Sequence, residues 1–185
     1  VCIYYILPRK VRWVWLLVCS YYFYMCWNAG FAILMLASTF ATYCGAVLIG
    51  KGKGDSSVKT LKIWITGGIL LSIILNLLIL CYFKYFNFFV ANLESVLALS
   101  GIRLNMPDFD ILLPVGISFY TFKAISYVID VYRGNIGVEK NFLKFALYIS
   151  FFPQLASGPI QRAGDFLNQL KTPASFDTEK VRDGL

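Results

Sequence analysis

The sequence predicts an all-α, polytopic integral membrane protein, a bundle of tilted helices with one broken or re-entrant segment. Three observations predict it. Hydrophobic residues make up 58% of the chain and charged residues only 15%, with a mean hydropathy of +0.66, whereas a soluble domain carries about 25% charged residues. A water-soluble core of this size cannot absorb so much apolar side chain, because surface scales against it. The apolar residues fall in runs long enough to cross a hydrocarbon core of about 30 Å. Lys and Arg gather in short groups between those runs, as they do in cytoplasmic loops.

From Trp13 to Gly50 no charged residue occurs. One helix over that stretch would be about 57 Å long, so the chain must turn back. Asn28-Ala29-Gly30 is the polar, flexible spot near its middle, which predicts helices over 12–27 and 30–50. The first is short and rich in Trp and Tyr, which suits an interfacial or tilted segment. Residues 51–62 read as a polar loop. Ile63 to Phe83 is a third apolar run, about 21 residues long and sufficient to span. Within it Gly67, Gly68 and Ser72 allow close helix approach, and Asn76 can hydrogen-bond across helices. Lys84 follows inside an aromatic group and can snorkel to the headgroups. Residues 91–110 are mixed, and Pro107 breaks any helix there. Ile111 to Ile129 is apolar except for Lys123, residues 130–144 are polar again, and a last run from Phe145 to Ile160 is interrupted by Pro153, Gly158 and Pro159. About five membrane segments result, one of them broken.

Sidedness follows from the basic residues. One side receives Arg9, Lys10, Arg12, Lys51, Lys53, Lys59, Lys62, Arg133, Lys140 and Lys144, and the other Arg103 and Lys84. The first side is therefore cytoplasmic. The same distribution explains the net charge of +7 without nucleic-acid binding, which needs a basic stripe or face. Five cysteines, Cys2, Cys19, Cys26, Cys44 and Cys81, lie mostly in apolar runs and form no CxxC. They read as small core residues, with acylation of Cys2 or Cys81 as the alternative; no metal site is expected. The chain begins at Val1, and Ser175–Glu179 offers a helix start with no helix body after it. Residues 1–185 are expected to be the N-terminal part of one domain, truncated at both ends.

Two segments do not look like plain lipid-facing helices. In the first, from Leu113 to Gly134, Ser118, Tyr120, Thr121 and Lys123 are set into apolar sequence. A lysine facing lipid at a helix centre costs about 2.5–3.5 kcal/mol. Lys123 therefore either faces protein, water or a ligand phosphate, or sits near a helix end and snorkels. In the second, Phe151 to Arg162, two prolines and a glycine rule out one regular helix. Irregular backbone at membrane depth implies a protein-lined or wet cavity, to which Gln154, Gln161 and Arg162 would contribute. A kinked helix end at the interface is the other reading.

The strings LLPVGISFYTFKAISYVIDVYRG and FALYISFFPQLASGPIQRAGDFLNQL resemble the bacterial alginate O-acetyltransferase branch of the membrane-bound O-acyltransferases, with weaker echoes at Tyr4–Arg9 and Leu80–Phe89. The resemblance implies transfer of an acyl group, often acetyl, from a cytoplasmic thioester to a hydroxyl. The donor would be acyl-coenzyme A or an acyl carrier, used as a co-substrate with no bound cofactor. The acceptor would be an exported cell-envelope polysaccharide, reached directly or through periplasmic or extracellular acetyltransferase partners. The location would be the bacterial inner or plasma membrane. The family works with a buried histidine, and this chain contains none. Hydroxyl attack on a thioester needs a general base poised near neutral pH, so no catalytic residue is assigned here. Lys123, Gln154, Arg162 and Arg133 are the candidates for donor binding or cavity lining, the arginines as cationic partners for coenzyme A phosphates. A multi-pass transporter or flippase is the rival reading, because broken helices at depth also mark transporter sites. A non-catalytic membrane scaffold is a third.

Overall fold

Backbone amides along an apolar stretch find partners only within the chain, so such stretches fold as helices. The computed structural model describes residues 2–8, 11–54, 58–99, 113–155, 158 and 161–171, and every element among them is a helix. They are α1 (Cys2–Ile6), α2 (Arg12–Met25), α3 (Ala29–Gly54), α4 (Val58–Leu99), α5 (Ile117–Arg133), α6 (Phe142–Ser150), α7 (Phe152–Leu155) and α8 (Ala163–Lys171). The expected turn between the first two apolar helices is present. Asn28 makes it: its side chain accepts from the Gly30 amide at 2.8 Å, and its carbonyl accepts from Phe31 at 3.1 Å. That is how an asparagine caps a helix start.

Three boundaries depart from the sequence reading. Residues 51–62 are not a long loop, because α3 continues to Gly54 and α4 starts at Val58. The chain leaving an apolar stretch keeps its amides paired by staying helical, and Lys51 in the last turn complements the negative end of the helix dipole. Likewise α4 does not stop near Phe83 but runs 42 residues to Leu99. No glycine or proline occurs between 69 and 99 to end it. Finally, α5 starts at Ile117 rather than near 111. Pro114 lacks an amide donor, and Gly116 takes a left-handed conformation at φ 72° immediately before the helix. Gly134, at φ 82°, closes it, as glycine does at helix C-termini. Glu94, as a side chain, and Arg103, Pro107 and Ser175–Glu179 lie outside the described residues.

The central unit is an antiparallel pair, α3 and α4. Phe31 meets Phe83 edge-on at 6.3 Å, Ser38 and Thr42 meet Asn76, and Gly45 meets Gly68 and Ser72. A Cβ on Gly45 would strike Ser72 Oγ and the Gly68 carbonyl, and one on Gly68 the Gly45 carbonyl. Backbones that close need glycine on both sides. Asn76 joins the helices, accepting from the Ser38 hydroxyl while its amide donates to Thr42 Oγ1 at 2.9 Å and to the Ser72 carbonyl at 2.7 Å. The polar groups are inside. Apolar ones are outside: Ile33 is 68% exposed and Phe88 and Phe89 each 62%, while Ser38, Thr42, Ser72 and Asn76 are buried. In water that distribution would be inverted; in lipid it is the expected one. Two stretches, Ala29–Gly52 and Ile63–Leu93, are long and apolar enough to cross a membrane.

The other helices pack on this pair. At one end of the bundle the Tyr24 hydroxyl donates to the Val115 carbonyl at 2.8 Å, near the α2–α3 turn. At the opposite end Gly50 abuts Val138, and the Tyr43 hydroxyl donates to the Lys140 carbonyl at 2.8 Å. The segment from α6 to α8 begins and finishes at this second end. It starts at Asn141, beside Lys140, where the Asn141 side chain caps α6. It reaches Leu155, which lies against Gly116 at the far end of α5, and is back beside Ile136 by Gly164. The broken apolar run is therefore re-entrant: it goes in and returns to the same end.

Candidate functional site

The break in that run decides the local chemistry. Phe151, at φ −54° and ψ 103°, separates α6 from α7, and Pro153 lies in the first turn of α7, where its missing N–H leaves no partner short. A helix end leaves its last carbonyls unpaired. Lys123, fully buried in α5, supplies one partner: its Nζ donates to the Tyr148 carbonyl at 3.2 Å. It also donates to Gln154 Oε1 at 2.7 Å and lies 5.4 Å from the centre of the Tyr148 ring. Two acceptors, an aromatic face and the negative end of a helix thus surround one ammonium group. No carboxylate among the described residues pairs with it. Lys123 does not snorkel; it faces protein and ties α5 to both sides of the break.

Gln154 is buried with 7% of its surface exposed. Tyr148 links the same point to the start of α8, through its hydroxyl to the Gln161 carbonyl at 3.4 Å, and packs on Phe166 at 5.6 Å. Around this pair the interior holds two hydroxyls with no hydrogen-bond partner among the described residues, Tyr120 and Thr121, while the Tyr21 hydroxyl faces Thr39 and Ser150. Buried polar atoms are normally satisfied, and exceptions point to water, an ion or a ligand.

The structure brings two of the four sequence candidates together, Lys123 and Gln154, and leaves the other two apart. Arg133 and Arg162 are exposed, and neither is among the polar partners of Lys123 or Gln154. Arg133 occupies the last turn of α5, and the Arg162 carbonyl accepts from Phe166 to start α8. Both belong to the end of the bundle that carries Lys51 and Lys140. Two cavities flank the loop between α5 and α6 at that end. One, of about 320 Å³, lies between Asn135–Glu139 and α8 and includes Asn168 and Lys171. The other, of about 590 Å³, lies between that loop and Tyr43, Val47 and Gly50. Sequence reasoning missed Tyr148, whose carbonyl and ring both face Lys123; nothing in its apolar neighbourhood marks it.

Over 169 residues, 90% of its length, the chain is 38% identical to the alginate O-acetylase AlgI of Azotobacter vinelandii and 37% identical to that of Pseudomonas aeruginosa. The chain belongs to the membrane-bound O-acyltransferases. A peptidoglycan O-acetyltransferase of Helicobacter pylori is 27% identical over 182 residues, covering 85% of the chain. No family model matches the chain, and no solved structure does. The chain spans about a third of the length of the curated relatives it matches. The names of its relatives and its two helices long and apolar enough to span fit an all-α membrane protein.

Proposed function

We propose that this chain forms part of a multi-pass enzyme of the bacterial inner membrane. The enzyme moves an acyl group, acetyl by its relatives' names, from a cytoplasmic thioester to hydroxyls of an exported cell-envelope polysaccharide. The 38% identity to an alginate O-acetylase over 90% of the chain carries the reading. The peptidoglycan O-acetyltransferase among its relatives supports a polysaccharide acceptor of some kind rather than alginate alone. Orientation follows from charge. Lys51, Arg133, Lys140 and Arg162 gather at one end of the bundle, and a concentration of Lys and Arg faces the cytoplasm.

Division of labour follows from the chemistry. Acyl transfer from a thioester requires a base to take the hydroxyl proton and a donor group to stabilise the oxyanion. This chain holds no histidine, so we place the base in the two-thirds of the relatives' length that the chain does not span. Its own contribution is the helical frame, the re-entrant segment that keeps water from the thioester, and the basic end where phosphates of a coenzyme A donor find Arg133 and Arg162. A periplasmic or extracellular acetyltransferase partner would relay the group onward. The test uses membranes carrying the full-length protein, supplied with acetyl-coenzyme A and an acceptor polysaccharide. Free thiol should appear only when protein, donor and acceptor are all present. Thiol release equal to that of membranes lacking the protein would refute the reading.

A further inference from the structure

We propose that the open groove between α3 and the loop joining α5 to α6 holds an anionic phospholipid of the cytoplasmic leaflet, with an acyl chain along α3 and the phosphate between Lys51 and Lys140. The site goes beyond acyl transfer and rests only on the membrane placement and sidedness given above. The groove has a volume of about 590 Å³, within the roughly 300–1,000 Å³ of small-molecule sites. Tyr43, Val47 and Gly50 of α3 form one wall, and the loop from Gly137 to Lys140 forms the other.

An apolar track leads into it. Ile33, Leu36, Phe40, Tyr43, Val47 and Lys51 recur at spacings of three and four, so they share one stripe of α3. Ile33, Leu36 and Phe40 are exposed. Phe40 and Tyr43 both pack edge-on against Phe142, at 6.1 and 5.4 Å. The outward face of the helix therefore continues into the groove wall without a polar interruption, and a chain lying along it keeps apolar contact throughout. A soluble phosphate ligand has no use for such a track, which selects a lipid among phosphate-bearing ligands.

Charge complements the head group. Lys51 closes the stripe one turn beyond Val47, and Lys140 lies on the opposite wall; both are exposed. The groove also contains an acid, Glu139, whose Oε1 accepts from the Asn141 amide at 3.0 Å where α6 starts. Lys144 is engaged elsewhere, its Nζ lying 5.9 Å from the centre of the Trp13 ring on α2. Two lysines on facing walls at the cytoplasmic end of a helix bundle suit one phosphodiester, and basic pockets in that position bind anionic head groups.

The site is formed before any lipid arrives. The Tyr43 hydroxyl donates to the Lys140 carbonyl at 2.8 Å, and Gly50 is so close to the loop that a Cβ on it would come 2.7 Å from Val138. Little ordering is left to oppose binding. A bound lipid would fasten to α3 the loop from which the re-entrant segment departs, and a ligand of the folded form alone raises its stability.

Full-length protein purified in detergent and titrated with phosphatidylglycerol tests this, with native mass spectrometry counting bound lipids and giving Kd. The wild type should bind one lipid saturably, and its melting temperature should rise; phosphatidylethanolamine at the same concentrations should do neither. Lys51→Gln and Lys140→Gln should each weaken binding about fivefold, and together about thirtyfold, with the melting temperature in lipid-free detergent unchanged. Val47→Trp, which fills the groove and keeps both lysines, should abolish the bound lipid. Lys171→Gln alters an exposed lysine of the neighbouring cavity and should leave Kd as it is. Equal weakening by K171Q and K140Q would overturn the site in favour of general surface attraction. Absence of saturable binding to the wild type would show the groove covered by the rest of the polypeptide and would also overturn it. Displacement of the lipid by acetyl-coenzyme A would assign the groove to the donor instead. None of these results touches the acyl-transfer reading, which thiol release tests separately.

Discussion

Replacing Gln154 by leucine should destabilise the protein more than replacing Lys123 by methionine, although Lys123 carries the charge. In Lys123→Met two hydrogen bonds vanish, to the Tyr148 carbonyl and to Gln154 Oε1. Bonds to a charged group contribute about 1.5–3 kcal/mol each. The same change removes an ammonium from membrane depth, which insertion scales value at about 2.5–3.5 kcal/mol. The two effects oppose, leaving a net loss of about 2 kcal/mol or less. Gln154→Leu has no such offset. The charge stays buried and loses its shorter bond, keeping only the Tyr148 carbonyl at 3.2 Å and the ring. Leaving a buried charged group short of a hydrogen-bond partner costs about 3 kcal/mol or more. The double variant K123M/Q154L should therefore be more stable than Q154L alone, with a coupling of about 1.5–3 kcal/mol. Unfolding of the full-length protein in detergent, driven by heat or by added SDS and followed by circular dichroism, measures all four corners of the cycle. Additive single effects, or a Q154L protein as stable as the wild type, would refute the reasoning.

Other expectations follow from particular contacts. Gly116→Ala should cost about 2 kcal/mol on the same unfolding assay, because φ is 72° and a Cβ would come 2.8 Å from the Leu155 carbonyl oxygen. Gly45→Ala should force α3 from α4 at Ser72 and Gly68 and lower stability by about 1–3 kcal/mol; an unchanged melting temperature would show that the helices are not so close. Asn76→Leu removes the bridge to Ser38 and Thr42 and should cost about 1–2 kcal/mol, again read as a melting shift. In a background without native cysteines, Asn28→Cys should react with an impermeant maleimide from outside intact inner-membrane spheroplasts. Lys51→Cys should react only after permeabilisation, and the reverse pattern would contradict the assigned sidedness.

How far the sequence could be read depended on what kind of residue carried the message. The turn at Asn28 was legible because asparagine both caps and breaks, and the interruption at 151–153 because proline is tolerated only in the first turn of a helix and so cannot continue α6. Lys123 was marked as unusual because a charge in an apolar run always has an energetic reason. The small residues Gly68 and Ser72 and the polar Asn76 announced a helix contact, but not that Gly45, Ser38 and Thr42 would be the partners, since pairing is a property of two segments at once. The end of α4 was not legible. Hydropathy reports where lipid is favourable, and the helix continues as far as its backbone allows. Residues 51–62 misled for the same reason, since polarity predicts exposure rather than loop conformation. Among the site candidates, Gln154 was found through the broken backbone around it. Arg133 and Arg162 were singled out by charge alone, and charge alone does not say which cations share a site.

The transfer of label is the measurement that bears most directly on what this chain is part of. Inner-membrane vesicles containing the full-length protein, given acetyl-coenzyme A with a radiolabelled acetyl group on the cytoplasmic face, should place the label in ester linkage on polysaccharide hydroxyls. The label should be released by mild alkali. Label that stays entirely on coenzyme A, while unmodified polymer or donor crosses the vesicle membrane, would contradict acyl transfer and favour a transporter.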